Sequence, residues 1–343
     1  MANDPRAGIL AHQPTVGARR IKNPHRRSFG EFLFRYRELS LLLVALCLGA
    51  YFQIVTGKLL SGANLLNLSQ IMAPIAMLAC PMVLLIAGGE IDLSVGQTFA
   101  LAPFLVHFGQ QAGIPLILAD VLAVAMVSMV GVINGVVTVY IGVPSFVTTL
   151  GTFFGINGLT LIISNAEPVP TPGTGMYAMV FGQNWSLILW AVAALAIFHF
   201  ILRHMRWGLY CVAIGGNYET SKEAGIKVAR IKIGNFIMPA AVAGFAGILD
   251  SVTVNITDPL AGGSAIMFSA ISAVVIGGTA LAGGFGTVIG AFIGAAVLAL
   301  LQDGLSLQGV NANAFSLILG IAVLSVMILN VTLSRQLLGR KRG

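Results

Sequence analysis

The feature that most constrains this chain is a succession of apolar runs, each close to a bilayer in length, from near Leu39 to about residue 334. A helix needs about 20 apolar residues to cross the hydrocarbon layer. Such runs are read at 39–57, 66–88, 93–111, 116–141, 144–165, 185–203, 230–253, 266–282, 285–302 and 313–334, which predicts ten spans. The expected fold class is all-α, a polytopic membrane protein of about ten transmembrane helices. The 343 residues could hold two soluble domains, but only 9% of them are charged and 57% are hydrophobic. Soluble domains carry about 25% charged residues, so the bilayer is the natural solvent for this chain.

The charges test the count independently. Eighteen of the nineteen Lys and Arg fall in three stretches, 1–38, 203–232 and the C-terminal tail; Lys58 stands alone. Basic loops stay on the cytoplasmic side. Starting inside and alternating through ten spans puts all three clusters on that side, with both termini cytoplasmic. One span fewer would put a basic cluster outside. The loops expected outside, near 57–65, 166–184, 254–265 and 303–312, carry Glu167, Asp258 and Asp303. The net charge of +7 is thus a topology signal and calls for no nucleic-acid partner. The organisation expected is a basic, largely unstructured cytoplasmic N-terminus at 1–38, a transmembrane domain at 39–334 and a basic cytoplasmic tail at 335–343. The first apolar run follows a long polar stretch and reads as an uncleaved span. The loop 166–184 is rich in Pro and Gly, which block a regular helix.

Several chemistries are excluded. No G-x-x-x-x-G-K-[ST] phosphate loop occurs, because Phe52 stands where the upstream glycine of Gly57-Lys58 would be. No zinc-protease motif, Gly-x-Ser-x-Gly elbow or haem motif occurs either. His12, His25, His107, His199 and His204, and Cys47, Cys80 and Cys211, have no ligand spacing. The sequence therefore predicts no catalytic residue, no metal and no cofactor in this chain.

Four segments could carry function. In GGEIDLSVGQT, Gly88 to Thr98, the acids Glu90 and Asp92 lie where two spans meet. Intramembrane acids are expensive and usually mark function. They read as a solute path or proton relay, or else Asp92 and Ser94 cap the next helix. VIGGTALAGGFGTVIGA, Val275 to Ala291, loosely repeats the first segment, through either an internal repeat or the abundance of glycine. In GGNYETSKEAGIKVARIK, Gly215 to Lys232, Asn217 or Thr220 can cap a short cytoplasmic helix, and Glu223 follows Thr220 at capping-box spacing. Gly225 suits its C-terminal stop. Such a helix is a docking element for a soluble partner, or the stretch is an ordinary solvated loop. In VPSFVTTLGTFFGINGLT, Val143 to Thr160, Thr148, Thr149 and Thr152 share helical spacing, as do Phe146, Phe153 and Asn157. Hydroxyls, an amide and rings suit a neutral polyhydroxylated solute; helix packing through small and polar residues is the other reading. Glu90, Asp92, Ser94, Phe146, Thr149, Thr152, Phe153 and Asn157 are the pathway candidates. Asn134, Asp250, Asn255, Thr257, Gln302 and Asp303 are weaker ones.

These segments carry a resemblance. GGEIDLSVG at 88–96, PSFVTTLGT at 144–152, GGNYETSKEAGI at 215–226 and IGGTALAGGFGTVIGA at 276–291 resemble the signatures of the ribose-type permeases of ABC sugar importers. That superfamily also holds branched-chain amino-acid permeases, which lack the Ile-Asp-Leu-Ser form. Glu90 looks like an extra residue inside the first signature. The resemblance implies the membrane subunit of a bacterial inner-membrane importer, paired with a second permease copy or paralogue. Cytoplasmic ATPase subunits, carrying ATP and Mg, would grip the helix through Asn217, Glu219, Thr220, Lys222, Glu223, Ala224 and Gly225. A periplasmic solute-binding protein would deliver a monosaccharide, polyol or similar solute. The alternatives are an ion-coupled secondary transporter using Glu90 and Asp92, a passive channel or scaffold, and an amino-acid permease.

Overall fold

A computed structural model describes residues 37–325 apart from 172, 174, 312–313, 315–316, 319 and 322–323. The expected unstructured N-terminus, the basic tail and most of the last expected span lie outside the described residues. In chain order the helices are α1 (Arg37–Thr56), α2 (Gly62–Ala87), α3 (Val95–Gln111), α4 (Leu116–Val136, continued by a π-helical turn Val137–Ile141), α5 (Ser145–Ser164), α6 (Met176–Phe181), α7 (Asn184–His204), α8 (Arg206–Gly216), α9 (Tyr218–Glu223), α10 (Val228–Val254), α11 (Gly263–Ile276) and α12 (Val288–Leu307). Strands β1 (Val169–Pro170) and β2 (Ile256–Thr257) pair antiparallel.

Nine of the ten expected spans fall on helices. Seven of these are long and apolar enough to cross a membrane: α1, α2, α4 with its π turn, α5, α7, α10 and α12. The other two differ from expectation. The run 266–282 is realised as the 14-residue α11, which stops at Gly277-Gly278. Gly278 has φ +94° and the Thr279 N–H bonds back to the Val274 carbonyl at 3.1 Å, which closes the helix. The run 93–111 gives the 17-residue α3. At 1.5 Å per residue these helices reach about 21 Å and 26 Å, short of a hydrocarbon layer of about 30 Å.

Their starts explain the shortfall. α2 ends at Gly88-Gly89, at the end of the bundle that carries α8 and α9. α10 starts near that end and finishes at the other, where 255–262 lead into α11. Yet α3 and α11 begin against each other: a Cβ on Gly96 would lie 1.9 Å from the Gly263 carbonyl oxygen. Residues 90–94 and 258–262 therefore enter the bundle from opposite ends, and each hands over to a helix inside it. The non-helical backbone at 90–94 is tolerated because protein encloses it, with Asp92 and Ser94 fully buried.

The packing exchanges the two halves. α2 packs on α12 as α10 packs on α4, α2 on α11 as α10 on α3, and α3 on α4 as α11 on α12. The repeat thus relates α2 to α10. The likeness of Gly88-Gly89 to Gly277-Gly278 is local: Gly89 also has positive φ (+85°), and the Glu90 N–H likewise bonds five residues back, at 3.1 Å.

Lipid tails give apolar side chains no reason to leave them, so packing of small residues must hold such a bundle. The enclosed helix α2 carries Ala73, Ala76, Ala79, Cys80 and Ala87 in the core, and α10 carries Ala240, Ala243, Gly244, Ala246 and Gly247. α1 and α5 leave most of their length open. Side chains clamp both ends. Asn64 and Asn67 donate to the two Asp303 oxygens at 2.6 and 2.7 Å, joining α2 to the end of α12. Thr287 donates to Glu38 at the opposite end. The loop 166–184 does hold a helix, α6, in which Tyr177 donates to both Asp120 oxygens at 3.0 and 3.2 Å.

Candidate functional site

Two of the four segments are wired together through one residue missed as a principal candidate. The Asp92 Oδ1 accepts from the Ser94 backbone N–H at 2.7 Å and from its hydroxyl at 2.6 Å. The short acid thereby folds the turn before α3, rather than capping the helix itself. Asn134, buried on α4, donates to Ser94 Oγ at 2.9 Å and accepts from Thr152 Oγ1 at 2.9 Å. Ser145 Oγ accepts from the Ile91 N–H at 3.3 Å, and Thr149 donates to its own helix at the Ser145 carbonyl, 2.8 Å away. Asp92, Ser94, Thr149 and Thr152 therefore sit together in a packed polar seam between the loop, α4 and α5. The second Asp92 oxygen is buried without a partner among the described residues.

Glu90 stands apart from that seam. It is nearly buried and forms an ion pair with Lys232 of α10. The same ammonium lies 5.1 Å from the ring centre of Tyr218, the first residue of α9. The signature turn is thus tied to the short helix through one lysine. That helix has the caps its sequence suggested: Asn217 Oδ1 accepts from the Thr220 N–H at 3.0 Å, and Gly225 takes φ +79°. Thr220 is inside the helix, so the cap is Asn217. Glu219, Thr220, Lys222, Glu223, Ala224 and Gly225 are all exposed; Ser221 turns inward and donates to the Asn217 carbonyl at 2.8 Å.

The glycine segments meet below this helix. A Cβ on Gly215 would lie 1.9 Å from the Ala87 carbonyl oxygen and 2.6 Å from the Gly284 nitrogen. Gly284 N–H itself donates to Ala87 at 2.8 Å. Three segments distant in sequence, 87–89, 215–216 and 283–284, touch backbone to backbone, which only residues without side chains permit.

On α5, Phe146 is exposed at 54%, Asn157 is half-buried and Phe153 packs on the main core. These three do not converge. A cavity of about 760 Å3 lies elsewhere, bounded among others by Phe99, Asp250, Ser264, Phe268, Ser272 and Gln302. A second of about 290 Å3 shares Phe99 and Asp250 and reaches Thr257 and Asp258. Both adjoin the meeting starts of α3 and α11. Two helix N-termini bring partial positive charge to one place, and Asp92, Asp250 and Asp258 are carboxylates beside them.

Helices long and apolar enough to span a bilayer, packed through small residues, with two shorter helices and a cavity where they meet, define a membrane permease. The chain belongs to the family described as branched-chain amino acid transport system / permease component, which its residues 64–327 match. Permease components of this kind are the non-enzymatic part of a transport system. The chain is 31% identical to the xylose/arabinose import permease protein XylH of Sulfolobus acidocaldarius over 307 residues, 85% of this chain and 84% of that protein. It is 32% identical to the ribose import permease protein RbsC of Bacillus subtilis over 282 residues, 81% of this chain and 87% of that protein. It is 31% identical to the probable ABC transporter permease protein YphD of Escherichia coli over 319 residues, 92% of this chain and 96% of that protein. No solved structure matches the chain.

Proposed function

We propose that this chain is the membrane subunit of an ATP-driven importer for a monosaccharide or similar polyhydroxylated solute. The observation that carries the reading is likeness to pentose permeases over more than four fifths of the chain. The exposed, doubly capped α9 supports it, because a helix pinned to the bundle through Lys232 and Tyr218 can transmit force from a docked ATPase. In this reading Asn217, Glu219, Thr220, Lys222, Glu223, Ala224 and Gly225 meet the ATPase. In the same reading the chain crosses a bacterial inner membrane ten times, with both termini and α9 cytoplasmic. A second permease seats on the open face of α5, where a Cβ added to Gly151 or Gly155 would meet nothing within 4 Å and Phe146, Phe154 and Ile162 are exposed. A periplasmic binding protein delivers solute to the opposite end.

The ion-coupled alternative is disfavoured by pairing. Lys232 neutralises Glu90, Ser94 holds one Asp92 oxygen, and neither acid borders the cavities. The test is uptake of ribose and of xylose into proteoliposomes holding the complex with its ATPase and binding protein. The proposal expects uptake against a gradient that requires ATP and stops with vanadate. Uptake driven by a proton or sodium gradient without ATP would overturn it.

A further inference from the structure

Every carboxylate set into the bundle has a described partner except one. Glu38 meets Thr287, Glu90 meets Lys232, Asp92 meets Ser94, Asp120 meets Tyr177, and Asp303 meets Asn64 and Asn67. Asp258, in the turn after α10, accepts from the Leu260 N–H at 2.8 Å. Asp250 has no hydrogen bond or ion pair among the described residues, yet it faces both cavities. Asp250 sits near the C-terminal end of α10, where the helix dipole disfavours a negative charge, so a carboxylate there needs a compensating partner. Here the wall around it supplies serine hydroxyls, two glutamine amides and two phenylalanine rings, the mix that ligand pockets use for orientation and fit.

We infer that the cavity beside Asp250 is a resting site for the solute within the permease, and that the Asp250 carboxylate accepts hydrogen bonds from adjacent hydroxyls of a neutral monosaccharide. This rests on the sugar-importer reading and deepens it. A carboxylate has two acceptor oxygens and no donor, which matches two neighbouring hydroxyls of a sugar. Ser264, Ser272 and Gln302 can donate to and accept from the remaining hydroxyls. Phe99 and Phe268 offer flat apolar faces to the C–H side of the ring. Among the described residues no Lys or Arg bounds either cavity, and Asp250 brings negative charge, so a neutral sugar suits the site better than a sugar phosphate. At about 760 Å3 the larger cavity is within the ordinary range of ligand pockets, roughly 300–1,000 Å3.

The experiment uses the permease–ATPase complex with Cys47→Ser, which removes the exposed thiol, and Ser269→Cys in the cavity wall. A membrane-permeant thiol reagent labels the new cysteine. Millimolar D-ribose or D-xylose is expected to slow labelling, and Asp250→Asn to abolish that protection. Asp250→Asn is also expected to lower uptake about 10- to 100-fold, the worth of hydrogen bonds to a charged group. Its binding-protein-stimulated ATPase stays within about twofold of wild type. Labelling indifferent to both sugars, or slowed by sodium ions instead, overturns the site. So does parallel loss of ATPase and uptake in Asp250→Asn, which marks a structural carboxylate. Protection is read without ATP, so its failure is distinct from failure of ATP-driven uptake. It is also read in the chain that keeps Asp250, so misfolding of the variant leaves that arm decisive.

Discussion

Replacing Gly215 with alanine should loosen the end of the bundle that carries α9. The added carbon would sit 1.9 Å from the Ala87 carbonyl oxygen and 2.6 Å from the Gly284 nitrogen, with backbone on both sides. Neither neighbour can rotate away as a side chain would, so a segment must shift by more than 1 Å to reach ordinary contact. Overpacking of that kind costs about 1–3 kcal/mol. The shift also breaks the 2.8 Å bond from Gly284 to Ala87, whose buried groups then cost about 1–3 kcal/mol more. Alanine returns about 0.5–1 kcal/mol through its better helix propensity. The net is a loss of about 1–5.5 kcal/mol, or about 1–8 °C in melting temperature for a chain of this size. The assay is thermal unfolding of the purified complex, with Gly49→Ala as the control. Gly49 is also in a helix, but no atom lies within 4 Å of its added carbon, so that variant should match or exceed wild type. A Gly215→Ala protein that melts with the Gly49→Ala protein would refute the backbone contact.

Other perturbations test other parts. Gly225→Ile forces a branched residue into a left-handed backbone at about 1–2 kcal/mol; ATPase activity should persist while uptake per ATP falls, and an unchanged ratio counts against α9 as the coupling element. Lys232→Met leaves the Glu90 carboxylate nearly buried without its cation, a loss of about 3–5 kcal/mol in thermal unfolding. Adding Glu90→Gln should restore most of that loss, and simple additivity in this double-mutant cycle would mean the pair does not interact. Asn134→Leu removes the amide that joins Ser94 to Thr152 and should cost about 2–4 kcal/mol; Thr152→Val made in that background should then add little.

Hydropathy and charge made the helix positions legible, because a span's apolar length and its basic flanks are local properties. The short helix 218–223 was legible for the same reason: Asn217 and Gly225 act within a few residues of themselves. Depth was not legible. The run 266–282 stays free of charge through Gly277-Gly278, and the positive φ of Gly278 ends the helix there. Nor can one sequence show that Glu90 meets a lysine 142 residues away, or that Asn134 joins two segments it adjoins in neither case. Asp250 lay near an expected helix end, where solvation would explain it cheaply. Its isolation emerges once the partners of the other acids are known.

The contact between the starts of α3 and α11 also sets an order of assembly. Fourteen residues cannot hold themselves across a membrane, and the Gly263 backbone that opens α11 rests on Gly96, made about 170 residues earlier. A ribosome finishing α11 thus releases a segment whose seat must already be in place. The first half of the chain serves as scaffold for the second. α3 in turn stays open at its start until that later segment arrives. Cut in the loop between α6 and α7, the two fragments should each be degraded when made alone and survive when made together.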